Sequence, residues 1–394
     1  MFDSLRRALG AEPSEPGELR AELSRVRTAI EDRACQLEGK RASRLDALFP
    51  NGPVEGAGGG RFPGLDPVNF EEDEPESWLV AAATGIIDKF PGSAGLLSQL
   101  DATFAAFCEA NHLRLSGEGP FAELDRWRAE AFAQLDLPGD APLYLANGGG
   151  TRVLGCNQPL VVVDRLDLVG LEGDERRFVL AAALGHLFFG NLKIFAFYRL
   201  MEMFDKLPSM AGLISRGLGM IPGVGNTISR GLELARNLNN QVIRKTHLVV
   251  GQRQHVLCDR LASLLVGSSA PGQRALARQA LGAPGEPAVT ERLIAQGRAI
   301  HERFERGEVD LTMLSLVGPG APFAALRAFK LDAWERSDRA AKIRAGYYVT
   351  RGRLAEYRQT HAALEEEIAF LEERLVELHE RAERLEAKLA DAQG

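Results

Sequence analysis

Residues 160–190 read LVVVDRLDLVGLEGDERRFVLAAALGHLFFG, and this stretch decides the fold. Its first five residues are a β-branched run ending in Asp164, as expected of a buried strand. Asp174 and Glu175 then supply the negative charge that favours a first helical turn. The apolar residues after them continue past Gly190 to Phe204, which predicts one long helix over 174–204, too apolar for a surface and running through a core. Upstream, LYLA (143–146) reads as a second strand, set off by the glycines at 148–150. From Ser77 to about Leu137, apolar residues at helical spacing predict three short helices. The class is therefore α+β and mostly helical: a small sheet against the helix that carries His186, helical lobes on either side, and a projecting coiled coil.

The two ends of the chain share one period. Leu19, Leu23, Val26, Ile30 and Leu37 alternate spacings of four and three, with Arg33 in the one seam position that breaks them. Leu354, Tyr357, His361, Leu364, Ile368, Leu371, Leu375, Leu378, Ala382, Leu385 and Leu389 repeat the pattern over about five heptads. Either the terminal helices pair within one chain or the long C-terminal helix pairs between chains. The second seam reads as clearly longer, which favours a homo-oligomer. The organisation that results is an N-terminal heptad helix over 1–46, a flexible glycine, proline and acidic linker over 47–76, a helical lobe over 77–141, a core over 142–340 and a coiled coil over 346–392. The acidic run Glu71 to Glu76 reads as a solvated spacer before a docking tail.

Composition narrows the function. With 45% hydrophobic and 26% charged residues, the chain is neither disordered nor a polytopic membrane protein. A net charge of -7 leaves no global basic field to hold a polyphosphate, so nucleic acid is not an expected partner. Cys35, Cys108, Cys156 and Cys258 lie far apart with no Cys-x-x-Cys pair, which suits a reducing compartment. Charge and proline interrupt residues 1–17 before any apolar signal segment forms, and a cytoplasmic location is expected.

On residues 180–190 and two segments downstream, the chain resembles the HtpX and Oma type of zinc metalloendopeptidase, metallopeptidase family forty-eight. Against that family's Leu-Ala-His-Glu-Leu-Gly-His helix, Leu180, Ala181, Leu184, Gly185 and His186 match, whereas Ala182 stands where the first zinc histidine belongs and Ala183 where the catalytic glutamate belongs. The family draws its third ligand from Glu-x-x-Ala-Asp-Arg. Here Asp259 and Arg260 match, His255 takes the ligand position, and Cys258 takes the alanine position. Pro322, Leu326, Arg327, Leu331, Trp334 and Ser337 are similar to its closing Pro-x-x-x-Leu-Arg and Trp-x-x-Ser segment. The resemblance covers roughly 142–337 and is weakest at the edge strand, where Gly150, Thr151, Arg152 and Val153 replace Asn-Ala-Phe-Ala.

The resemblance implies a zincin-like core with a degenerate motif. Residues i and i+4 share a helix face, so two histidines there grip one zinc while the adjacent glutamate activates water. With Ala182 and Ala183 in place, His186 and His255 remain as a vestigial or weak metal pair, no cofactor is expected, and no catalytic residue is assigned. The function implied is a pseudo-peptidase that binds a polypeptide in the former substrate groove and scaffolds through its coiled coil. The alternative is a divergent zinc-dependent metalloendopeptidase using His186, His255 and Asp259. In the plainer reading, Asp259 satisfies the ring of His186 from behind, Cys258 is a small buried side chain although its spacing from His255 suits a nucleophile and base, and His247 has no role.

Between the two half-sites, MAGLISRGLGMIPGVGNTISRG (210–231) is rich in glycine. From 190 to 253, nine Lys or Arg face three Asp or Glu, a local charge of +6. An insert at 209–231 resting on an anionic membrane surface, as a peripheral membrane adaptor would, is one reading. A hairpin packed over the former active site is the other.

Overall fold

The computed structural model describes residues 15–47, 52–70, 93–119, 121–190, 192, 254–282, 286–309 and 323–392. The glycine-rich insert, His247, the acidic run and Trp78 to Ile87 lie outside them. The chain forms two units, one of residues 1–52 with 348–394 and one of residues 53–347.

In the first unit, α1 (Pro16–Ala47) and α11 (Leu354–Asp391) pair antiparallel within one chain. Leu19, Leu23 and Val26 pack with Ala382 and Leu385, and Leu37 packs with Ile368 and Leu371, so the start of one helix meets the end of the other. Arg27–Glu386, Arg41–Glu372 and Arg381–Glu22 span the seam in the same register. The C-terminal helix is the longer of the two, 38 residues against 32, although α1 continues ten residues beyond Leu37, the last N-terminal seam leucine.

The second unit is α+β and mostly helical, around a four-stranded sheet. Strands β1 (Leu113–Arg114), β2 (Leu143–Ala146), β3 (Arg152–Leu154) and β4 (Leu160–Asp164) are ordered β1-β2-β4-β3. β4 runs parallel to β2, with Leu143 opposite Val161, and antiparallel to β3, with Val153 opposite Val161. Every residue of β4 is buried, which accounts for its β-branched run. β1 is absent from the sequence reading: two exposed residues carry too little period-2 pattern to be seen there.

Helices α2 (Ser93–Asn111), α3 (Ala122–Leu135), the short α4 (Arg165–Leu168) and α5 (Asp174–Phe188) accompany the sheet. After them come α6, helical over 254–266, then α7 (Ala270–Leu281), α8 (Pro287–Glu305), α9 (Ala324–Glu335) and α10 (Asp338–Arg344). α5 packs on α3, α7, β3 and β4. It is shorter than expected. Its end comes at Phe188, and Gly190 turns the chain with a φ of 67°, which breaks the predicted 174–204 helix where only glycine turns cheaply.

The segment expected to be a flexible linker is also corrected. Phe62, Leu65 and Phe70 are buried, Phe62 N–H donates to Gln134 O, and Phe70 lies edge-on to Phe188 and stacks on Trp334. Apolar residues are few here, but they are large, and three anchors hold the stretch despite its glycines.

Because Leu371 is buried in the seam against Leu37, Leu371→Asp should leave a charge with no partner and cost about 3 kcal/mol or more. The expected result in a circular-dichroism melt is early loss of helical signal while the second unit's transition stays in place. A single transition shifted as a whole would contradict the division into two units.

Candidate functional site

Helices α4, α5, α6, α7 and α9 line a cleft of ≈ 550 Å³ beside the sheet edge. α5 contributes Ala182, Ala183 and His186, with 182 and 186 one turn apart on one face. α6 contributes His255 and Cys258, and α9 contributes Arg327. Gly150 and Thr151, just before β3, form part of the rim.

α5 and α6 meet closely at the site. A Cβ on Gly185 would fall 2.8 Å from Cys258 Cβ and 2.9 Å from its Cα, so only glycine permits this approach. That contact places the His186 and His255 rings edge to face, with centroids 5.4 Å apart, and leaves Cys258 Sγ 3.5 Å from His186 Nδ1. Burial, with Arg327 adding to it, lowers the His186 pKa to about 4, so the imidazole is neutral at pH 7. Burial pushes the Cys258 thiol well above its ordinary value, and the neighbouring Asp259 charge adds to this. The pair is thus a thiol beside a neutral imidazole, not a thiolate nucleophile, and Cys258 serves as the small buried side chain that its position suggests.

Asp259 does not serve His186 as the plainer reading expects. Both its carboxylate oxygens are on Arg327 instead, at 2.7 Å to Nε and 2.7 Å to Nη2. The two side chains are almost wholly buried, 1% and 10% exposed. Burial raises the Asp259 carboxyl above its ordinary value, while the guanidinium draws it back. Arg327 is itself opposed by burial, but the Asp259 charge and hydrogen bonds outweigh it and raise its pKa. This bidentate fork is the ion-pair geometry with the most directional hydrogen bonding.

A second buried carboxylate shapes the rim. Asp164, at the end of β4, accepts N–H bonds from Gly148, Gly150 and Leu166, and its own N–H donates to Thr151 Oγ1. Burial acts to raise its pKa, but the three backbone donors and Arg152 overcome this and hold it below the ordinary carboxylate range. The glycine turn and the first residue of the edge segment are therefore tied to the central strand.

The structure brings Ala182, Ala183, His186 and His255 to one cleft and engages Asp259 elsewhere. Arg327 enters the sequence reading only as a match to the closing segment, and that match is the signal for its role. Nothing in the sequence marks Arg278 or Asp167 as lining residues, and Thr151 enters only as part of the edge segment where the resemblance is weakest. Among the described residues, no group of three or more His, Cys, Asp or Glu side chains could hold a metal ion. The donors present do not fit a three-ligand zinc site: Ala182 and Ala183 offer no donor atom, and Asp259 is engaged. Comparison with family models, curated proteins and solved structures returns no match.

Removing one partner of the buried pair should be costly. Arg327→Met is expected to lower stability by about 3–5 kcal/mol in denaturant unfolding, because an unpaired carboxylate stays buried, whereas Asp259→Leu with Arg327→Met should regain most of the loss. Equal losses in the single and double variants would refute the pairing.

His186 generates a pH dependence. Its folded pKa of about 4 lies below the unfolded 6.5. The unfolded chain therefore binds a proton first as pH falls, and stability present above pH 6.5 is lost progressively down to about pH 4. The contribution is about 3 kcal/mol. Stability curves of wild type and His186→Gln should converge over that window; parallel curves would count against a buried neutral imidazole.

Proposed function

We propose that this protein is a catalytically silent, zincin-like pseudo-peptidase that holds a polypeptide partner in the cleft and assembles through its helical hairpin. The observation that carries the reading is the pair of methyl groups at Ala182 and Ala183, which line the cleft on the turn before His186. The family it resembles needs a zinc ligand and a general base there. The carboxylate of Asp259 is committed to Arg327, which also weakens the divergent metalloendopeptidase reading. Polypeptide binding is supported by β3, an edge strand next to the cleft with one side unpaired among the described residues, since such an edge adds an extended segment by main-chain hydrogen bonds. Assembly is supported by Phe370 and Val376, which lie 56% and 60% exposed on α11, outside the seam.

Four free cysteines suit a reducing cytoplasm, the location we propose. Among the described residues, no helix is long and apolar enough to cross a membrane.

The test is zinc content by elemental analysis after native purification, with casein as an unstructured substrate. The unmodified protein should carry sub-stoichiometric zinc and show no chelator-sensitive cleavage. Ala182→His with Ala183→Glu should raise zinc towards one per chain, since the introduced imidazole would join His186 and His255 as a third donor. Stoichiometric zinc in the unmodified protein, with cleavage abolished by His186→Ala, would replace the proposal with the hydrolase.

A further inference from the structure

The rim of the cleft combines a fixed cation with exposed apolar side chains. Arg278, near the end of α7, donates from Nε to Val169 O at 2.7 Å. Its guanidinium rests on Gly170, where a Cβ would collide with Nη2, so any other residue at 170 would displace it. Gly170 also has a φ of 71°. The terminal amino groups of Arg278 have no hydrogen-bond partner among the described residues. The other charged side chains lining the cleft are engaged: Arg327 holds Asp259, and Asp167 accepts the Thr151 N–H at 2.6 Å.

Beside this guanidinium, Leu166 and Val169 line the same cleft and are 62% and 52% exposed. Both lie on or next to the short α4 segment that Asp164 caps, so they form one apolar patch at the rim. The buried Leu171, Phe178, Val179 and Leu276 complete an apolar lining. A ligand complementary to this surface carries one carboxylate immediately next to apolar bulk. A free phosphate could be met by the same fork, but it would leave Leu166 and Val169 uncovered. The C-terminal residue of a polypeptide meets the requirement, since its α-carboxylate and its side chain leave the same carbon.

We infer that the cleft receives the C-terminal end of a partner polypeptide, with its α-carboxylate on the anchored Arg278 fork and an apolar last side chain against Leu166 and Val169. The inference rests on the polypeptide-binding reading above and names which part of the partner is held. A guanidinium held through Nε, with its terminal amino groups unpartnered among the described residues, is pre-organised for two parallel hydrogen bonds to a carboxylate. Carboxylate capture at a chain terminus is a recurring recognition mode.

The experiment uses the full-length protein and an array of labelled octapeptides ending in Leu, Ile, Val or Phe, each made as the free acid and as the C-terminal amide. Binding is read by fluorescence anisotropy. The free acids are expected to bind on the order of ten- to a hundred-fold tighter than the amides, the value of a charge-assisted hydrogen-bond pair. Arg278→Gln should abolish that difference, and Arg278→Lys should restore it only in part because the fork is gone. Circular dichroism checks that both variants keep the wild-type melting temperature. If Arg278→Gln fails this check, the acid-to-amide ratio on the wild-type protein alone decides. Acids and amides bound equally, or acids bound equally by Arg278→Gln, would overturn the inference and leave polypeptide binding standing. No peptide bound in either form would overturn both. Equal binding of peptides whose only carboxylate is an internal Asp would show that the terminus is not what is recognised.

Discussion

The buried ion pair between Asp259 and Arg327 is the constraint on which the second unit's site depends. It joins α6 to α9 through two 2.7 Å hydrogen bonds in a place where either charge alone would be strongly unfavourable. Fixing that face of α6 also fixes the neighbouring positions, where His255 and Cys258 meet α5. The same pairing consumes a carboxylate that would otherwise be free to polarise water or orient an imidazole. Burial also keeps His186 neutral and Cys258 protonated. The close approach at Gly185 sets the geometry of the two rings, and burial, with Arg327 and Asp259 contributing, sets the protonation states.

Around this pair, the cleft is shaped by carboxylates that act on backbone. Asp164 gathers three N–H groups from the glycine turn and α4, and Asp101 does likewise for Cys156, Asn157 and Gln158 at the β3–β4 turn. Both turns flank β3, and Gly150 and Thr151 just before it line the cleft. A short edge strand with only three residues would fray without such clamps, since its own ladder supplies few hydrogen bonds. The rim of the cleft is thus held in place by side-chain-to-backbone hydrogen bonds at both ends of β3.

The hairpin obeys a different logic. Its seam residues are ordinary apolar heptad residues, and the cross-seam ion pairs agree with its antiparallel register. Arg33, the one charged residue in the N-terminal seam, turns to Gln36 instead of disrupting the packing. Such a two-helix unit has a single buried seam, which leaves Phe370 and Val376 facing outward and makes further assembly a physical option.

Much of the fold is legible in the amino-acid order because its signals are local. The β-branched run of β4, the acidic start of α5, the glycine turn at 148–150 and the heptads at both ends each depend on residues within one or two turns of one another. His186 and His255 can be singled out in the same way, by their places in short motifs. What tertiary structure alone decided depends on contacts between distant residues. The partner of Asp259 lies 68 residues away, and no periodicity could assign it to Arg327 instead of His186. The 53–70 segment reads as a linker because its few apolar residues show no pattern, yet burial depends on what a side chain meets, and Phe62, Leu65 and Phe70 meet the core. Arg278 becomes a candidate only through Gly170, 108 residues before it, which makes room for its guanidinium. Sequence determined which elements form, because helix and strand formation rest on near neighbours; the chemistry of the cleft was decided by which of those elements close on each other and by which charges they bury together.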